Sequence, residues 1–124
     1  MEIINAPKAP AAVGPYSHAV RQGDLLFCSG QLPLSPEDGK IVGDTVEPQT
    51  HQVFANIKAV LDSQGLTLEN VVKTTVFLQS MGDFPAMNAI YSEHFRTHKP
   101  ARSTVEVAKL PLGALVEIEC IAAF

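Results

Sequence analysis

Only two stretches of this chain repeat their apolar residues at helical spacing, and the remaining apolar runs read as strands. Val53, Phe54, Ile57, Val60 and Leu61 form the first stripe. With Pro48 suited to a first turn and Gly65 supplying a stop, they predict a helix over 46–64. Phe84, Met87, Tyr91 and Phe95 form the second, with Asp83 as N-cap and Pro85 in the first turn, and this helix runs to about Thr97.

Strand signals surround them. Ala19 to Gly30 reads as two strands about a Gly23-Asp24 turn, Asn70 to Ser80 is rich in Val, Thr and Phe, and 101–107 and 115–123 flank the Pro111/Gly113 turn. Asn5 to Pro15, with three prolines, reads as an irregular arm; Pro33, Pro36 and Gly39 mark a loop, with Lys40 to Val42 a short strand. The expectation is an α+β fold in which one mixed sheet carries two helices on one face, all 124 residues forming a single domain.

Two helices leave the other sheet face uncovered. The strand bearing Val72, Val76 and Leu78 on one side and Val71 and Phe77 on the other has no side fit for water, so self-association through the sheet is expected. A cyclic oligomer would place clefts between subunits, where ligand sites often lie. A composition 46% hydrophobic and 18% charged agrees with some apolar surface being hidden this way.

The net charge of −4 and the absence of clustered Lys and Arg argue against a nucleic-acid partner. Met1 to Asn5 lacks the features of a signal peptide and no stretch is apolar enough to span a bilayer, so no membrane partner and a cytoplasmic location are expected. Cys28 and Cys120 lie in separate apolar strands without Cys-x-x-Cys spacing and read as reduced core thiols.

Two charges stand where strands prefer Val or Ile. Arg102 opens Ala101-Arg102-Ser103-Thr104-Val105, and Glu117 sits in Leu115-Val116-Glu117-Ile118. Charges are seldom tolerated there unless paired or used. A guanidinium grips a carboxylate with two parallel N–H donors, and a nearby carboxylate handles a proton or a water, so the two sketch a site for a small anion. If the last two strands pair antiparallel with Thr104 opposite Glu117, Arg102 and Glu117 become diagonal neighbours. A plain cross-strand salt bridge at a sheet edge explains the same spacing.

Other side chains point less clearly. His94 and His98 have the i, i+4 spacing of a metal pair but lack a third ligand and fall at a helix end, where a cation suits the dipole; no metal is expected. His18 and His51 have no evident partner. Ser29-Gly30 ends a strand and offers a hydroxyl and a backbone N–H, and Tyr16 after Gly14-Pro15 is an anchor or a packed ring. No Gly-rich phosphate loop or Ser/His/Asp set is present.

Gly14-Pro15-Tyr16-Ser17, Ser29-Gly30-Gln31, Val72-Lys73-Thr74-Thr75-Val76-Phe77, Pro100-Ala101-Arg102-Ser103 and Val116-Glu117-Ile118 together resemble the Rid proteins, also called the YjgF family, in order from Ala6 to Ile121. The resemblance is to the archetypal RidA-like branch. It implies a chorismate-mutase-like fold, a homotrimer whose sheets line a central barrel, and a site in each intersubunit cleft that needs no cofactor. It also implies hydrolysis of 2-aminoacrylate and 2-aminocrotonate, the reactive 2-enamino and 2-imino acids released by pyridoxal-phosphate dehydratases, to 2-keto acids and ammonia.

Carried over by position, Arg102 binds the substrate carboxylate and Glu117 positions or activates water. Tyr16, Ser29, Gly30 and Asn88 line the cleft, and Thr104 stands where family members often carry Cys, so that its backbone rather than a thiol does the binding. Relatives described as endoribonucleases or translation inhibitors, and a non-catalytic regulatory or chaperone-like trimer, are the rival readings. The burial of Glu117 would raise its pKa and a nearby Arg102 would lower it, and the sequence leaves that balance open.

Overall fold

A computed structural model describes residues 1–124. Eight elements make the frame: β1 (Glu2–Ile4), β2 (Ala19–Gln22), β3 (Leu25–Gln31), α1 (Val46–Asp62), β4 (Val71–Leu78), α2 (Phe84–Phe95), β5 (Ala101–Glu106) and β6 (Val116–Ala123). The strands form one sheet in the order β1-β2-β3-β6-β4-β5, with β4 and β5 parallel and the other neighbours antiparallel. The fold is α+β, with both helices packed on one face.

α1 ends where expected. Gly65 adopts φ +72, and the turn closes through Leu66 N–H donating to the Leu61 carbonyl at 3.0 Å, a position a Cβ would strain. Val53, Phe54, Ile57, Val60 and Leu61 are all buried on the sheet. Each such side chain contributes roughly 1.5–3 kcal/mol of transfer free energy, which is what holds α1 in place. α2 begins differently from the sequence expectation. Asp83 occupies the cap position without a side-chain cap bond, and a short 3-10 turn, Met81–Asp83, leads in, capped by the Ser80 hydroxyl accepting from Gly82 N–H. Two smaller differences concern strands: Glu2–Ile4 joins the sheet as its edge, and Lys40–Val42 makes only an isolated bridge between Leu34 and Ile41.

The assumed pairing of the last two strands is corrected. β6 lies between β3 and β4, while β5 lies beyond β4 at the sheet edge. The reason is the connection: β4, α2 and β5 form a crossover unit, which delivers β5 parallel to β4, and the longer β6 fills the central slot between two partners. Thr104 pairs with Val76, and Glu117 pairs with Phe77.

The strict alternation expected along β4 is also corrected. A register shift between Val71 and Lys73 leaves Val72 46% exposed while Val71, Val76 and Leu78 are all fully buried under the helices. A bulge of this kind turns the side chains over to the other face. The helix side thereby collects one core of 24 buried residues. The opposite face keeps Ile3, Leu25, Phe27 and Val105 exposed beside Glu117 and Glu119.

Candidate functional site

Register decides where the two charges go. Arg102 lies opposite Thr74 and Glu117 opposite Phe77, with β4 between their strands. Thr74 is buried on the helix side, whereas Phe77, three positions on, points to the open side, so Arg102 and Glu117 lie on opposite faces of the sheet. The expected diagonal contact between them is therefore absent within one chain, and so is the edge salt bridge.

Arg102 is held by α2. Its Nη1–H donates to Asn88 Oδ1 at 2.7 Å, and its guanidinium lies over the rings of Tyr91, at 4.6 Å, and Phe84, at 5.5 Å. Tyr91 is fixed in turn by a 2.8 Å hydrogen bond between its hydroxyl and that of Thr74, and burial raises its pKa. The partner of the arginine is an amide oxygen, so its charge is oriented but not neutralised. Thr104 follows on the same face, and its buried Oγ1 has no hydrogen-bond partner. Glu106, next on that face, accepts from Met81 N–H at 2.7 Å and ties the β4–α2 turn to β5. A cleft of about 430 Å³ opens beside Arg102 and Asn88, walled by Tyr91, Lys99 and Pro100.

The second group surrounds Glu117. Burial, and then the neighbouring Glu119, raise its carboxyl pKa above the ordinary 4.5. Desolvation thus prevails over the arginine in the balance left open by the sequence, because Arg102 lies elsewhere. Gly30 has no Cβ because the space one would occupy is taken by the Glu117 carboxylate. Ser29 donates its hydroxyl proton to the Ser17 carbonyl at 2.6 Å, and its N–H bonds the His18 carbonyl at 2.9 Å, which pins the segment following Tyr16 to β3. Tyr16 is half-exposed and borders a small hollow with Gly30 and Gln31.

His18, which has no evident partner in the sequence, organises this side. Its Nδ1 accepts from Ala6 N–H at 2.7 Å, and its Nε2–H donates to the Pro10 carbonyl at 2.7 Å, so one buried ring anchors the whole proline-containing arm. Nothing in a lone histidine announces this. The sequence reading places Phe84 and Tyr91 only in an apolar stripe and misses the platform they form beneath Arg102; the signal for it is that Phe84, Asn88 and Tyr91 share one helix face at i, i+4 and i+7.

The reading of His94 as a helix-end cation is corrected. His98 bonds the Val71 carbonyl through Nε2 at 2.6 Å, while His94 faces His51 across the two helices, Nε2 to Nδ1, at 2.9 Å. Lys58 Nζ donates to the Nδ1 of His94 at 2.9 Å. Burial, stacked on Phe54, and then the Lys58 charge lower the His94 pKa to about 4, so it is not the dipole-stabilising cation expected at a helix end.

The segregated groups sit on a known family scaffold. The family model for Endoribonuclease L-PSP matches residues 6–124. A RutC family protein of Pyrococcus horikoshii is 48% identical over 121 residues, covering 98% of this chain and 96% of that protein. Reactive Intermediate Deaminase A, chloroplastic, of Arabidopsis thaliana is 50% identical over 121 residues, covering 98% of this chain and 65% of the plant protein. Among solved structures, the YjgF gene product of E. coli superposes with TM-score 0.93 at 42% identity, covering 99% and 98% of the two chains. RidA from the Antarctic bacterium Psychrobacter gives TM-score 0.96 at 41% identity over 100% of both. The chain belongs to the Rid (YjgF) family, also described as the L-PSP family. None of its helices is long and apolar enough to cross a membrane.

Proposed function

We propose that the protein hydrolyses reactive 2-enamino and 2-imino acids, such as 2-aminoacrylate and 2-aminocrotonate, to 2-keto acids and ammonia. The site is assembled between copies of the chain. What carries this reading is the division of the expected residues into two groups on opposite sheet faces, one with an oriented, un-neutralised Arg102 beside Asn88 and Thr104, the other with a raised-pKa Glu117 beside Gly30, Ser29 and Tyr16. Neither group is sufficient alone. In a closed trimer, where apolar sheet faces meet around a central barrel, the arginine group of one copy meets the glutamate group of the next. The name of the plant relative, Reactive Intermediate Deaminase A, supports the same chemistry.

The enamine tautomerises to the imine, and water adds to its C=N carbon. The carbinolamine then expels ammonia and leaves the keto acid. Arg102 grips the substrate carboxylate with parallel N–H donors, and the unpartnered Thr104 hydroxyl lies beside it. Glu117 takes the proton of the attacking water and returns it to the departing nitrogen, a task suited to a carboxyl shifted toward neutrality. No redox or group-transfer partner enters this balance.

The description of the family model as an endoribonuclease supports a second reading, RNA cleavage, against which stands the net charge of −4. Freshly generated 2-aminocrotonate separates the two. Ammonia and 2-ketobutyrate should appear faster than in buffer alone, with no RNA cut by the same preparation. Unaccelerated hydrolysis would overturn the deaminase reading.

A further inference from the structure

We propose that Cys28 and Cys120 form a dithiol that hydroperoxides oxidise to an intramolecular disulfide, a modification site separate from the residues assigned above. The two stand directly opposite each other on the adjacent antiparallel strands β3 and β6. Directly opposed residues in such a pair have Cα atoms about 4.5–5.5 Å apart, inside the range of about 4.4–6.8 Å that a disulfide accepts. Sequence spacing alone, with the residues ninety-two positions apart, hides this. Both thiols are free and buried, and direct opposition on neighbouring strands puts the two side chains on the same, helix-covered face of the sheet.

The chemistry has a direction. The neighbouring Cys120 side chain lowers the Cys28 pKa, while the Cys120 pKa is raised by Cys28 and by burial. Cys28 is also the more accessible, 8% exposed against 3%. The register breaks between Cys28 and Gln31, immediately after it, which gives β3 a place to open to a small oxidant. The Cys28 thiolate attacks one peroxide oxygen, the O–O bond breaks, and the second oxygen takes up a proton and leaves as water from hydrogen peroxide or as the alcohol from an organic hydroperoxide. Cys120 then attacks the sulfur of the resulting sulfenic acid and expels one water. Two thiols lose two electrons and two protons, and one hydroperoxide is reduced.

The test is to treat the folded protein with hydrogen peroxide, quench in acid, unfold in the presence of an alkylating agent and weigh the intact chain. The expected product is a single chain lighter by the mass of two hydrogens, with neither cysteine alkylated, and dithiothreitol restores both. In Cys120→Ser, Cys28 should accumulate as a sulfenic acid trapped by dimedone. In Cys28→Ser, the rate of loss of the remaining thiol should fall at least about tenfold, as befits a buried, raised-pKa cysteine. Two thiols still alkylatable after peroxide treatment would overturn the proposal, as would oxygen added to one cysteine while the other stays free, or cross-linking between chains. The wild-type measurement decides the matter even if a serine variant fails to fold.

Discussion

Arg102 is a residue whose neighbours leave one job open. Asn88 and the Tyr91 and Phe84 rings fix its plane, yet no anion is supplied by those partners. In Arg102→Lys the charge survives but the fork of donors does not. Affinity for 2-ketobutyrate should fall by about 1.5–3 kcal/mol, the worth of a hydrogen bond to a charged group. Calorimetric titration alongside the melting temperature checks this, and unchanged affinity would remove the arginine from the site. Glu117 makes the complementary prediction. Glu117→Gln keeps size and hydrogen bonding, so turnover should drop far more than ligand affinity. The raised carboxyl pKa means that the folded state binds a proton more tightly than the unfolded one. Its contribution to stability is fully present below the unfolded value near 4.5 and is lost as pH rises through the folded one. The glutamine variant should therefore flatten the decline of stability above pH 4.5, read by denaturant titrations at several pH values. Gly30→Ala tests the same corner sterically, because a methyl there must displace the Glu117 carboxylate. Its kcat should fall while the melting temperature moves little, since the carboxylate can swing toward the open face.

At the scale of elements, α1 and α2 are joined by more than apolar packing. Lys58 and His51 on α1 and His94 on α2 form a hydrogen-bonded cluster over Phe54. His94 titrates near 6.5 when unfolded and at about 4 when folded, so the unfolded chain binds its proton more readily. Stability from this group is present above pH 6.5 and is lost as pH falls toward about 4. Replacing His94 with Asn should weaken the acid sensitivity in that window. Thermal melts across it check the expectation, and an unchanged slope would show that the cluster is not the source. The helices were legible because their stripes obey a 3.6-residue period over several turns, and Gly65 marks its stop by a backbone conformation that other residues resist. The sheet order was not legible. Strand periodicity says which residues share a face but not which strand is the neighbour, and the parallel delivery of β5 by α2 displaced the hairpin that chain proximity suggested. The β4 bulge and the His18 anchor were hidden for a related reason, since each depends on contacts far apart in the chain.

For the whole molecule, the placement of the candidate residues Arg102 and Glu117 on opposite sheet faces leads to a test that does not depend on the chemistry of either residue. The candidate residues themselves were legible as charges in strands and as spaced motifs, but their allotment to opposite faces required the register of β4 against both neighbours. If each site joins the Arg102 group of one copy to the Glu117 group of the next, two inactive variants should rescue each other. In a mixed trimer of Arg102→Ala and Glu117→Gln chains, one junction joins an intact arginine to an intact glutamate, one carries a single lesion and one carries both. Random reassortment of equal amounts makes three quarters of the trimers mixed, so activity should recover to about one quarter of wild type in a closed ring. Unfolding and refolding the two variants together, then separately, and measuring imine hydrolysis supplies the comparison, with sedimentation to establish the trimer. Recovery absent from a fully mixed, well-folded trimer would place both groups of each working site in one subunit, which the opposite-face geometry of a single chain argues against.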